Sequence, residues 1–254
     1  MLATLAPASV EAADAARSLR NLVYATVDGK ALGLDLHLPA GKKEPLLLVY
    51  LHGGAWSAGD RSQYPAFLVD NGYAVASLDF RSTNDAPFPA NVNDIKAGIR
   101  YLRANATKHG YPADRIAVVG ASSGGHLAAL VGTTNGDARL EGREGAHPEQ
   151  SSAVQAIVSY FGASNLTTIL AQSTPGGLEV RVPALQRLLG AAPDQKPDLA
   201  RLASPVFHVD AGDPPLLLLH GDQDPQMPIN QSHELQGVYE RTGLESTFIV
   251  VHGA

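Results

Sequence analysis

Residues 116–126 read Ile-Ala-Val-Val-Gly-Ala-Ser-Ser-Gly-Gly-His. The run Ile116 to Val119 is short, apolar and rich in β-branched residues, the pattern of a strand buried on both faces of a sheet. An apolar helical pattern begins near His126, so the chain must bend sharply between the two elements. Gly120, Gly124 and Gly125 flank the bend, and the lack of a Cβ lets a strained backbone pass close to its neighbours. Ser122 stands at the apex with its hydroxyl turned outward, the geometry of a nucleophile elbow. The same string could hold a serine that merely caps the next helix. Its place between a buried strand and a helix, together with the companions below, favours the elbow.

Working outward, short apolar runs alternate with longer amphipathic stretches, which is an α/β rhythm with a mostly parallel sheet. Strand runs fall at Leu22 to Val27, Leu32 to Leu38, Leu46 to Leu51, Ala74 to Leu78, Ile116 to Val119, Val154 to Tyr160, Leu216 to Leu219 and Ser246 to Val251. The second alternates Leu32, Leu34, Leu36 and Leu38 with Gly33, Asp35 and His37, which predicts one wet face and a place at the sheet edge. Leu46 to Leu51, Ala74 to Leu78 and Ile116 to Val119 are continuous and predict the sheet centre. Val92, Ile95, Ile99 and Leu102 recur at helical spacing and predict a one-sided helix over Asn91 to Asn105, closed by Gly110. A second helical stretch runs from Ile229 to Arg241. Thr133 to Ser152 is polar and glycine-rich, a surface loop with no visible chemistry. Gly162 to Pro205 holds two apolar patches split by Pro175-Gly176-Gly177 and predicts a small helical cap inserted between strands.

A chain of 254 residues with 44% apolar and 17% charged residues suits one large α/β domain. The balance of 19 basic against 25 acidic residues, a net charge of −6, argues against nucleic acid as a partner. The chain has no cysteine, which rules out disulfides, thiolate metal sites and a cysteine nucleophile. The longest apolar run, Leu46 to Leu51, is far shorter than the roughly 18 residues a membrane span needs. The opening residues lack the basic and apolar regions of an intact signal peptide, so a soluble protein is expected, cytoplasmic or secreted with its signal removed. No histidine shows metal-ligand spacing and no phosphate-cradling glycine string occurs, so neither metal nor nucleotide cofactor is expected.

Two companions follow other buried strand runs. His52-Gly53-Gly54-Ala55-Trp56 comes after Leu46 to Leu51, where small residues would let an oxyanion approach backbone amides. Such donors, fixed where charge develops, are worth roughly 3 to 4 kcal/mol each. The amides of Gly54, Ala55 and Ser123 are the expected oxyanion hole, with His52 organising the turn and Trp56 lining a pocket. His220-Gly221-Asp222-Gln223-Asp224-Pro225 follows Leu216 to Leu219 and offers the acid that would orient a histidine base. On the residues alone, Asp222 and Asp224 compete for that role.

The pieces LDLHLP (34–39), HGGAW (52–56), APFPANVNDIKAGIRYLRAN (86–105), DRIAVVGASSGGHLAAL (114–130), ASPVFHV (203–209) and HGDQDPQMP (220–228) occur in one order. From about Leu32 onward the chain resembles α/β-hydrolase carboxylesterases of the hormone-sensitive-lipase and feruloyl/acetylxylan-esterase-like group. The resemblance implies an α/β-hydrolase fold with about eight strands and hydrolysis of short-chain or carbohydrate-linked esters through an acyl-enzyme. It also implies Ser122 as nucleophile and Asp224 as the acid. Ala55 replaces the usual third glycine of the oxyanion motif, a small change for a backbone donor. Such esterases place the histidine in a loop a few residues past the last strand, whereas here His252 comes directly off it. The expectation is therefore that His252 or a histidine just beyond Ala254 is the base, and that the chain is truncated before a final helix. A peptidase of the same fold and a non-catalytic binding protein are the rival readings.

Overall fold

The computed structural model describes residues 15–254. Eight strands form one sheet in the order β1-β2-β4-β3-β5-β6-β7-β8. They are β1 (Arg17–Val27), β2 (Lys30–Leu38), β3 (Leu47–Leu51), β4 (Ala74–Leu78), β5 (Ile116–Ala121), β6 (Ala156–Tyr160), β7 (Leu216–Gly221) and β8 (Ser246–Val251). The hairpin β1–β2 and the β2–β4 pair are antiparallel, and every other pairing is parallel. This is the α/β-hydrolase fold read from the sequence.

The helices are α1 (Ala66–Asp70), α2 (Ala90–Ala104), α3 (Ala106–His109), α4 (Ser123–Gly132), α5 (Ile169–Gln172), α6 (Pro175–Leu189), α7 (Pro197–Leu202) and α8 (Asn230–Thr242). The segment expected as a cap, 162–205, carries α5, α6 and α7 between β6 and β7. Ala184, Leu185, Leu188 and Leu189 of α6 are buried in the main core with Val49, Val118 and Leu127. At about 25 cal/mol per Å² of apolar surface, each such leucine contributes roughly 2 kcal/mol.

Two expectations fail for the same physical reason. β2 is not an edge strand: β1 lies outside it, and Leu32 through Leu38 are buried on both faces. Its polar residues are paired rather than wet. Asp35 Oδ1 accepts from Asn21 N at 2.7 Å and from Arg61 Nε at 3.1 Å, while the His37 ring stacks on Tyr64 at 3.9 Å. The segment 133–152 is a surface loop, as expected, but it is anchored to the body, and this changes the environment of α2. Glu141 and Glu144 reach back to α2 and neighbouring residues, with Lys96 Nζ to Glu141 Oε1 at 2.7 Å and Arg81 Nη2 to Glu144 Oε1 at 3.3 Å. Asp94 receives Arg81 Nη2 at 2.7 Å and is itself fully buried. α2 is therefore covered on its polar side as well as its apolar one, and the helix is two-sided. Charges removed from water in this way need partners, and breaking one such pair costs about 3 to 5 kcal/mol.

At the far end of the sheet, Ile249 and Val251 of β8 are 45% and 44% exposed. Among the described residues no helix is long and apolar enough to cross a membrane, and no cluster of three or more His, Asp or Glu could hold a metal ion.

Candidate active site

Parallel register brings the loops together. Leu51 pairs with Gly120, Ala121 with Tyr160, Tyr160 with Leu219, and Gly221 with Val251. The turns after β3, β5, β6, β7 and β8 thus leave the sheet nearly level with one another, at its carboxyl edge. Ligands of open α/β sheets bind at this edge.

Ser122 has φ 56° and ψ −121°, a backbone state that a residue with a side chain adopts at a cost of order 1 to 3 kcal/mol. The neighbourhood enforces it. A Cβ on Gly120 would lie 2.2 Å from Gly124 O, and one on Gly124 would lie 2.1 Å from Leu51 O. Ser122 N donates to Tyr160 O at 2.9 Å, and Ser122 O accepts from His126 N at 3.0 Å. Although Ser122 occupies the N-cap position of α4, its hydroxyl makes no capping hydrogen bond. The serine is held by its backbone and its Oγ is left free.

The turn after β3 touches the elbow. A Cβ on Gly53 would meet Ser122 Cβ at 3.5 Å and Ala121 O at 3.1 Å. Gly54, Ala55 and Trp56 follow with φ values of 116°, 50° and 59°. Ser57 N and Ala58 N both donate to Gly54 O at 3.0 Å, closing the turn. His52 sits behind it, stacked on Phe80 at 4.4 Å with Nδ1 2.8 Å from Gly53 O. Ser123 opens α4, where the first amides of a helix have no partner within the helix. Gly53, at the head of this turn, and Ser123 therefore flank Ser122 from two sides.

Trp56 borders a cavity of about 220 Å³ with His52, Ser57 and Phe80, in line with its expected place as a pocket wall. It is 2% exposed, and its Nε1 donates to His126 Nδ1 at 3.0 Å. His126 Nε2 in turn donates to Ala203 O at 2.7 Å. That pair of bonds fixes the neutral tautomer, and burial drives the imidazole down to about 4.

Asp224 lies in the loop after β7. Its Oδ1 accepts from Gln226 N at 2.8 Å and Met227 N at 2.9 Å, and its Oδ2 is 3.7 Å from His220 Nε2. His220 is no base: it is buried, with Nδ1 on Ser232 Oγ at 2.8 Å and Nε2 on Met227 O at 2.9 Å, and burial lowers its proton affinity. The insertion braces this loop from above. Thr174 Oγ1 donates to Pro225 O at 2.7 Å and Arg181 Nη2 donates to Gln226 O at 3.0 Å. Asp224 borders a cavity of about 380 Å³ with Tyr160, Phe161, His220, Pro225 and Ala254. A larger cleft of about 450 Å³ lies at the opposite, amino edge of the sheet, between Arg17, Leu38, Lys42 and His109, away from these loops.

Asp222 takes a different partner. Its Oδ2 is 2.8 Å from His252 Nδ1 and its Oδ1 accepts from Gly253 N at 2.8 Å, which holds its carboxyl below the usual range. The His252 side chain is 84% exposed. β8 is three strand positions from β5, about 14 Å at the usual strand spacing. His252, directly off β8, is not hydrogen-bonded to Ser122. The backbone beyond it turns inward, Ala254 O accepting from Gln223 N at 2.7 Å beside the Asp224 cavity.

This architecture has relatives. The BD-FAE family profile matches residues 34–238, which is most of the chain. The chain belongs to the BD-FAE family. Among proteins similar to this BD-FAE member, esterase LipQ of Mycobacterium tuberculosis is 32% identical over 212 residues, covering 81% of this chain and 48% of LipQ. Esterase LipC of the same organism is 33% identical over 219 residues, covering 84% of this chain and 53% of LipC. The chain thus spans about half the length of the curated relatives it matches. A solved truncated carbohydrate esterase from gut microbiota is 33% identical with a TM-score of 0.81, covering 94% of this chain and 88% of that one. The likeness to α/β-hydrolase esterases read from the motifs is borne out.

The sequence missed His126 as part of this constellation, although the single tryptophan of the chain, placed after a Gly-Gly turn, was a usable signal. Arg181 and Thr174 were beyond reach, because they lie 45 and 51 residues from the loop they brace.

Proposed function

We propose that this BD-FAE member is a serine carboxylesterase that hydrolyses short-chain or carbohydrate-linked esters through an acyl-enzyme. The observation that carries the reading is the strained, uncapped Ser122 in contact with the Gly53-Gly54-Ala55 turn. In this reading Ser122 Oγ attacks the ester carbonyl, and a histidine carried by the polypeptide after β8 takes its proton. The carbonyl oxygen, now anionic, receives the amides of Gly54, Ala55 and Ser123, donors already oriented before the charge appears. Asp224 orients the base: it stands after β7, two strand positions from β5, about 10 Å at the usual spacing, which leaves room for one imidazole between acid and nucleophile. The same histidine then protonates the departing alcohol, and water releases the acid by the reverse sequence.

Support for the substrate class comes from the names of relatives, esterases and a carbohydrate esterase, together with the modest cavity beside Asp224. Ser122→Ala in the full-length protein is expected to lower p-nitrophenyl acetate hydrolysis by at least about 1,000-fold while leaving the fold intact. Wild-type turnover by that variant would remove the reading. Release of acetate from acetylated xylan, compared with release from a long-chain ester, tests the substrate class.

A further inference from the structure

Resting on the reading of Ser122 as nucleophile, we infer that His126, acting through the Trp56 indole, is a positioning residue for the oxyanion amides. Gly54, Ala55 and Trp56 run consecutively through positive φ, and two of the three carry side chains. Such a turn persists only where its surroundings over-determine it. Several bonds close it on itself or on residues behind it: Ser57 N and Ala58 N to Gly54 O at 3.0 Å, and Thr83 N to Trp56 O at 2.8 Å. None of these ties the turn to the helix that carries Ser122. The indole bond does, because Trp56 Nε1 meets His126 Nδ1 at 3.0 Å on α4, one turn beyond the nucleophile. His126 N also donates to Ser122 O, so one residue holds both sides of the site.

The imidazole is itself immobile. It is completely buried, and Nε2 is fixed by Ala203 O at 2.7 Å, at the end of α7. With Nε2 donating there, Nδ1 must be the acceptor, so the ring can serve the indole only as the neutral tautomer. Arg181 of α6 stands with its guanidinium 6.0 Å from the indole ring centre. Oxyanion donors act through placement, and a shift of about 1 Å is enough to cost on the order of 100-fold. A hydrogen bond that pins the turn to the nucleophile's own helix is therefore a catalytic asset beyond its part in the core.

The test uses the full-length protein with p-nitrophenyl acetate and four variants. His126→Leu removes the acceptor, and Trp56→Phe keeps a ring but removes the donor. Each is expected to lower kcat by roughly 10- to 100-fold, short of the loss of a whole oxyanion donor, with KM changed by less than about twofold. The double variant should be no slower than the slower single one, because both changes cut the same bond. His126→Gln, which offers one acceptor and one donor, should recover part of the rate. As the chain has one tryptophan, the indole N–H gives a single ¹H–¹⁵N signal. That signal should exchange slowly with solvent in the wild type and move upfield in His126→Gln and His126→Leu. Folded single variants with wild-type kcat, multiplicative losses in the double variant, or fast exchange of the wild-type indole proton would each overturn the inference. Loss of activity in Ser122→Ala alongside wild-type rates in the Trp56 and His126 variants would overturn it while leaving the esterase reading in place. An active Ser122→Ala would overturn both.

Discussion

Gly124→Ala adds one methyl group to α4, and the geometry fixes where it must go. The new Cβ would lie 2.1 Å from Leu51 O, 2.6 Å from His52 O and 2.8 Å from Leu51 C, where ordinary contact begins near 3.4 Å. All three are backbone atoms, so no side chain can swing aside, and the end of β3 has to separate from α4 by more than 1 Å. The first residues to move are those leading into Gly53 and Gly54. A displacement of this size in the reacting geometry costs about 100-fold in rate, equivalent to about 2.7 kcal/mol of barrier. Stability should change much less. Overpacking costs about 1 to 3 kcal/mol, offset by about 1 kcal/mol because alanine favours a helix over glycine. The net loss of up to about 2 kcal/mol lowers Tm by no more than about 8 °C. Gly176→Ala is the matched control, since a Cβ there meets nothing within 4 Å; it should be neutral or stabilise by up to about 1 kcal/mol and keep wild-type kcat/KM. Initial rates on p-nitrophenyl acetate and thermal unfolding by circular dichroism measure both. A folded Gly124→Ala protein with kcat/KM within about twofold of wild type would refute the claim that β3 and the elbow are in fixed contact.

Three further outcomes are expected. His126 binds a proton near 6.5 when unfolded but only near about 4 when folded, so the unfolded chain takes up more protons across that window and stability falls as pH drops. Relative to His126→Gln, the wild type should lose about 3 kcal/mol between pH 7 and pH 4 in urea unfolding; parallel pH profiles would exclude a buried neutral ring. Asp94→Ala strands the Arg81 guanidinium, which donates to both carboxylate oxygens, and should destabilise by about 3 to 5 kcal/mol, seen as a Tm drop on the order of 10 °C. Thr174→Ala removes the side-chain acceptor for Gly177 N at 3.0 Å at the start of α6 and should cost about 1 kcal/mol. An unchanged denaturation midpoint would show that the cap contributes nothing.

The centre of the sheet was legible because β3, β4 and β5 are buried on both faces, and such strands must be written in continuous apolar residues. The elbow was legible for a similar reason: no residue larger than glycine fits at 120 or 124, so local sterics print themselves on the sequence. β2 and the polar side of α2 were misread because their polar residues are buried in pairs. Asp35 meets Arg61, 26 residues away, and Lys96 meets Glu141, 45 residues away. Periodicity records the polarity of a residue and not the partner that satisfies it. The same limit hid the Trp56–His126 bond, which spans 70 residues. On the residues alone Asp222 and Asp224 were indistinguishable, and their different partners became visible only in the structure: His252 and Gly253 hydrogen-bond Asp222, while Asp224 borders the cavity.

A fluorophosphonate reacts with a serine hydroxyl only when a base and oriented oxyanion donors activate it. Treating the full-length protein with such a probe and locating the adduct by tandem mass spectrometry tests the assignment of Ser122 most directly. The account predicts a single adduct on Ser122 in the peptide that contains Gly120 to His126, with none formed by Ser122→Ala. A probe that leaves Ser122 unmodified, or that modifies another serine equally in Ser122→Ala, would contradict it.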